Sequence, residues 1–103
     1  MSEAGDTWVA LLHTPSDPSV AGAVFTDPRF GDHVAFLRRM AEAAYLVAAG
    51  SFADRPGNGM TILRLPGPDR FEEAVRLATE EDASVASGFF TVEVRPWSVM
   101  LHA

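Results

Sequence analysis

The 103-residue chain contains no cysteine and no lysine; its eight basic residues are all arginine. Without cysteine there is no disulfide framework and no thiolate to act as nucleophile or metal ligand. Positive charge is scarce as well. The formal net charge is −6, and the arginines are scattered, whereas a phosphate backbone needs a basic stripe. No nucleic-acid partner is expected. No apolar run reaches about 18 residues, so no membrane span or membrane partner is expected. The opening Met1-Ser2-Glu3-Ala4-Gly5-Asp6 is acidic and polar where a signal peptide would be basic and then apolar. A cytoplasmic location is the expectation.

What is present is an ordinary globular composition, 48% hydrophobic and 21% charged, in a length that suits a single domain over 1–103. Thr7 to His13 reads as a strand, apolar on both alternating faces and therefore central. Residues 14–26, with Pro15, Asp17-Pro18 and Gly22, read as a long loop. Asp27-Pro28 supplies an N-cap and a first helical position. The helix is expected to run to Ala44, with Phe30, Val34, Leu37, Ala41 and Ala44 as its buried stripe and Arg38, Arg39 and Glu42 in water.

Leu46 to Phe52 is a second strand, in which Gly50 marks a bulge or a close backbone approach. The turn signal Asp54-Arg55-Pro56-Gly57-Asn58-Gly59 leads into a third strand, Met60 to Leu65, making a hairpin. Asp69, with Glu72 three residues on, suggests a capping box for a second helix that buries Phe71, Ala74, Val75 and Ala78. Phe89 to Arg95 alternates cleanly as a fourth strand, and Trp97 to Leu101 suggests a short extra edge strand. The fold class is then α+β, a ferredoxin-like βαββαβ with a four-stranded antiparallel sheet and two helices on one face. Strands apolar on both faces leave a second face to cover, and a symmetric homodimer through the sheet is the simplest cover.

Chemistry-bearing residues are few. His33 lies early in the first helix, on or beside its apolar stripe. Asp82 opens the segment Asp82-Ala83-Ser84-Val85-Ala86-Ser87-Gly88 between the second helix and the last strand. An imidazole that meets a carboxylate gains a fixed tautomer, which proton transfer needs. The plainer alternatives are a helix histidine satisfied by a backbone carbonyl and a capping aspartate. Asp54, in the turn, and Ser51, at a strand end, are further candidates for a ligand pocket. His13 ends the first strand. With His33 and Asp82 it would make a His/His/carboxylate set, but no local spacing supports one, and no metal or cofactor is expected.

Taken in order and spacing, several segments resemble the YCII-related (YciI-like) family of the dimeric α+β barrel superfamily. They are His33-Val34-Ala35-Phe36-Leu37, Leu46-Val47-Ala48-Ala49-Gly50, Glu73-Ala74, Asp82 to Gly88, and Val92-Glu93-Val94-Arg95-Pro96-Trp97. The resemblance covers most of the chain apart from the first six residues and 14–27. It implies a ferredoxin-like fold, a dimer, and a pocket between helices and sheet beside a His–Asp pair that moves protons. Matched by motif, that pair is His33 and Asp82. The chain departs from the family at Ala83, where Pro usually follows the Asp, and at Ser51-Phe52, where Pro is common. The expected function is a small cofactor-independent enzyme acting by proton abstraction or elimination on a small, cyclic metabolite. Two other readings are a non-catalytic small-molecule-binding or protein-interaction module, and a cofactor-free monooxygenase.

Overall fold

Four strands carry the architecture: β1 (Thr7–Pro15), β2 (Leu46–Ser51), β3 (Gly59–Leu65) and β4 (Phe90–Pro96). The computed structural model describes residues 5–103. The strands form one sheet in the order β2-β3-β1-β4, with every neighbouring pair antiparallel. Three α-helices follow in chain order, α1 (Phe30–Glu42), α2 (Phe71–Arg76) and α3 (Ala83–Ala86). The arrangement is α+β and compatible with a ferredoxin-like fold. Among the described residues, no helix is long and apolar enough to cross a membrane.

The pleat of β1 decides which side is the core. Val9, Leu11 and His13 face the helices and are buried, while Trp8, Ala10 and Leu12 point the other way. Leu63 and Leu65 lie opposite Val9 and Thr7 across the β1–β3 ladder. Phe36 and Met40 of α1, and Ala74 and Ala78 behind them, close over Val9, Leu11, Leu63 and Leu65. Burying each large side chain of this set contributes about 1.5–3 kcal/mol before entropy is counted.

Several local expectations change. Residues 18–26 are not an open loop but a 3-10 segment kinked at Ala23, with the Asp17 side chain accepting from the Ser19 amide at its start. Asp27 does not cap α1 directly. Its carboxylate accepts from the Arg29 amide and grips the Arg29 guanidinium. Residues 27–29 thus become a lead-in turn, and the helix begins at Phe30.

The buried stripe of α1 is His33, Phe36 and Met40, with Val34 and Leu37 half-buried beside it, whereas Ala41 and Ala44 are exposed. Large side chains gain more from burial than alanines do, so Phe36 and Met40 set the helix rotation. Asp69 is no N-cap: it sits at φ 59°, and α2 starts one residue past Arg70, whose amide is taken by the Thr7 hydroxyl at 3.1 Å.

The irregularity in β2 lies between Leu46 and Ala48 and not at Gly50. Nor is Gly50 crowded, since a Cβ there would meet nothing within 4 Å; the close approach is at Gly59, where a Cβ would stand 2.7 Å from the Gly50 carbonyl oxygen. Trp97–Leu101 adds no strand. Trp97 makes one ladder-like bond to the Trp8 carbonyl, and its ring meets Trp8 edge-on at 6.1 Å. The alternation of β4 is as expected, with Val92 and Val94 packed on the core.

Candidate functional site

Three chain segments converge at one end of the covered face. β1 delivers His13 two residues past Leu11, on the same side of the pleat. The first turn of α1 delivers His33. The third segment is a π turn, Leu77–Glu81, which continues α2 and ends at Asp82. Asp82 has extended backbone (φ −91°, ψ 102°) and is the N-cap of α3. The Arg39 guanidinium donates to the Glu81 carbonyl, which ties α1 to this turn.

Asp82 is fully buried, and its two oxygens do different work. Oδ1 accepts from the Ser84 amide at 3.0 Å and the Ser84 hydroxyl at 2.6 Å. Oδ2 meets His33 Nδ1 at 2.7 Å. Asp82 is therefore the cap of α3 through Oδ1 and the neighbour of His33 through Oδ2 in one side chain. Burial pushes the Asp82 carboxyl up, but the two imidazoles and Ser84 facing it win, and its pKa falls well below the usual carboxylate range. An ionised carboxylate only accepts, so the network assigns the proton to His33 Nδ1 and leaves Nε2 as the ring's lone-pair nitrogen.

His13, which the sequence offered as the third member of a His/His/carboxylate set without a spacing to support it, is brought to the other two. Its ring centroid lies 4.4 Å from that of His33, and its Nε2 stands 3.5 Å from Asp82 Oδ2. That approach is a close polar contact and not a formed hydrogen bond: neither ring nitrogen has a hydrogen-bond partner among the described residues. Burial pushes the His13 pKa below its ordinary value, with Asp82 opposing and His33 adding to the fall. The signal for His13 was its register. Val9, Leu11 and His13 alternate, so a histidine falls where an aliphatic residue would continue the core.

A cavity of about 230 Å³ opens beside the two imidazoles. Phe25, Phe30, Leu37, Met60 and Phe90 give it apolar walls, and Ser51, Asn58 and Thr61 add polar points. Among the described residues, no Arg, Lys, Asp or Glu lines it. Ser51 is thus at the cavity, on the helix-facing side of β2 opposite Gly59. Asp54 is exposed in the turn and is not among the lining residues. The mouth is braced where the 52–58 turn meets the 3-10 segment. Gly57 sits at φ 82°, and a Cβ there would lie 2.8 Å from the Ala21 carbonyl oxygen and from Pro15 Cγ. Only glycine fits both the conformation and the space.

The arrangement can hold a small, mostly apolar molecule against an imidazole whose tautomer is fixed by a buried carboxylate. No protein-family model and no curated protein matches this chain, so what the site does rests on its own geometry.

Proposed function

We propose that the chain is a small acid–base enzyme in which His33 moves a proton and Asp82 orients and supports it. The observation that carries the reading is the 2.7 Å contact between His33 Nδ1 and Asp82 Oδ2 at the wall of the cavity. With Nδ1–H on the carboxylate, Nε2 is free to accept a proton from a substrate C–H or O–H, and the carboxylate stabilises the imidazolium that results. A cavity of about 150 Å³ is enough for benzene, so about 230 Å³ has room for one substituted ring. Walls without a permanent charge favour a substrate that is uncharged around that ring. Proton abstraction or elimination on a small cyclic metabolite fits these conditions, with no cofactor required for the proton step.

The same reading takes the chain as a YCII-related protein of ferredoxin-like βαββαβ topology, with the short 3-10, π and α3 segments as elaborations. It also takes the chain as cytoplasmic and as a homodimer. The open sheet face supports pairing of copies. A groove there is walled by Ala10, Leu12, Met60, Ile62 and Trp97, and Met60 and Trp97 are exposed.

Solvent exchange tests the chemistry whatever the natural substrate is. A panel of small cyclic ketones, enols and lactones is incubated with the protein in D2O and followed by NMR. The expected result is enzyme-dependent exchange of a C–H in a subset of the panel, lost in His33→Asn and in Asp82→Asn. Exchange that survives in both variants, with their folds intact by circular dichroism, overturns the reading.

A further inference from the structure

We propose that His13, His33 and Asp82 also form a binding site for one divalent transition-metal ion of the zinc class, held by two imidazole nitrogens and one carboxylate oxygen. One ligand atom from each residue lies within 4.8 Å of the others. His13 Nε2 stands 3.5 Å from Asp82 Oδ2. Zinc bonds of about 2.0–2.2 Å to nitrogen and oxygen at a tetrahedral angle put neighbouring ligand atoms about 3.3–3.5 Å apart. The His13–Asp82 spacing already matches. The His33–Asp82 spacing is 2.7 Å, a hydrogen-bond distance, and His33 has to draw back by roughly 0.6–0.8 Å to share an ion of that ligand spacing.

The independent observation is the state of His13. The residue is 3% exposed, and both of its ring nitrogens are buried without a partner among the described residues. An unsatisfied buried polar group costs about 1–3 kcal/mol, and Nε2 faces the carboxylate. An ion between His13 and Asp82 satisfies Nε2 and balances a buried negative charge. The outer groups are also those a metal carboxylate needs, since Ser84 holds Asp82 Oδ1 by two hydrogen bonds and leaves Oδ2 for the ion. Both histidines line the cavity, and a water completes the four ligands that such an ion takes.

This inference stands apart from the proton-transfer reading and constrains it. A metal bound at His33 Nδ1 displaces the proton held there, and the neutral ring then carries its proton on Nε2. The ion and the dyad's catalytic tautomer therefore exclude one another. Metal loading at this site is an off state for a proton-abstracting His33, and the site's zinc affinity sets the free-zinc level at which that happens.

The test uses the full chain freed of metal with a chelator and then desalted. Calorimetric titration with ZnCl2 is expected to show one ion per chain. Titration with CoCl2 is expected to give the intense visible absorption of tetrahedral cobalt, where adventitious surface binding gives the weak octahedral spectrum. His13→Asn is expected to weaken zinc binding at least tenfold, and His102→Ala, in the exposed tail, to leave it unchanged. If His13→Asn does not fold, histidine-selective NMR of the unmutated protein decides: zinc should shift the ring resonances of His13 and His33 and spare His102. No zinc binding at millimolar concentration overturns the proposal. So do an octahedral cobalt spectrum, equal affinity in His13→Asn, or a shift confined to His102. Because binding is read directly, the result does not depend on whether the exchange experiment finds a substrate.

Discussion

Along β1 the residues facing the helices run Val9, Leu11, His13, and along β3 they run Leu65, Leu63, Thr61. The first two of each set, with Phe36, Met40, Ala74 and Ala78, close into a core in which all but Met40 are 0% exposed. The last of each set borders a cavity of about 230 Å³. The two halves share strands, a ladder and a helix, yet one is filled and the other is not. Stepping two residues along the pleat exchanges aliphatic bulk for a histidine, a threonine and the glycines that follow. The filled core and the candidate site are thus separated by register along common strands, and damage to one half is expected to have limited effect on the other.

That separation predicts unequal responses to mutation. The largest effect belongs to the site half. His33→Asn keeps a donor at the position of Nδ1 and removes the lone-pair nitrogen. It should lower turnover by about a hundred- to ten-thousand-fold, the usual contribution of a positioned general base, while the thermal midpoint changes little. Steady-state rates on any substrate found by exchange, paired with a melting curve, check this. The converse belongs to the filled half. Leu63→Ala should cost about 2–5 kcal/mol in urea unfolding, and the fraction that remains folded should keep its rate. If Leu63→Ala cost nothing, or His33→Asn unfolded the chain, the halves would not be separable.

Acid should find the site half first. Burial lowers the His13 pKa in the folded state, so between that value and its unfolded value of about 6.5 the unfolded chain binds more protons. This contribution to stability is present above about pH 6.5 and is lost as pH falls through the folded pKa of His13. Asp82, also depressed in the folded state, adds a second loss that begins below about pH 4. Unfolding free energies measured from pH 8 to pH 3 in the presence of a chelator should fall in two stages, and His13→Asn should remove the first. The smallest effect is a gain. Asp82 has the extended backbone preferred before proline, and Ala83 is the first residue of α3. Ala83→Pro should stabilise by about 0.4–1 kcal/mol, read as a rise in the urea midpoint.

Much of this architecture is legible in the sequence. The alternations of β1 and β4 and the turn residues around Gly57 mark the strands, because period-two patterning and left-handed glycines are local properties. His33 and Asp82 are legible as candidates from their places relative to the helices. The rotation of α1 is not, because Phe36 and Met40 choose their face by what β1 and β3 offer, which is not local. The failed capping box at Asp69 has the same origin: the Arg70 amide beside it is satisfied by Thr7, 63 residues away. His13 is visible as a register position, but its closeness to Asp82 depends on how a strand and a π turn meet, and no spacing in the chain encodes that.

The π turn at Leu77–Glu81 gives that meeting a history. A π turn holds one residue more than the α-helical turn it replaces, and such turns are common at functional sites. Each residue of an α-helix advances the chain by about 100° around its axis. A chain one codon shorter here would keep the sheet, Ala74 in the core and all of α1. Its Asp82 would point about a quarter turn away, and the carboxylate beside His33 would be gone. A single-residue insertion into an already stable fold is therefore sufficient to set a buried carboxylate against His33.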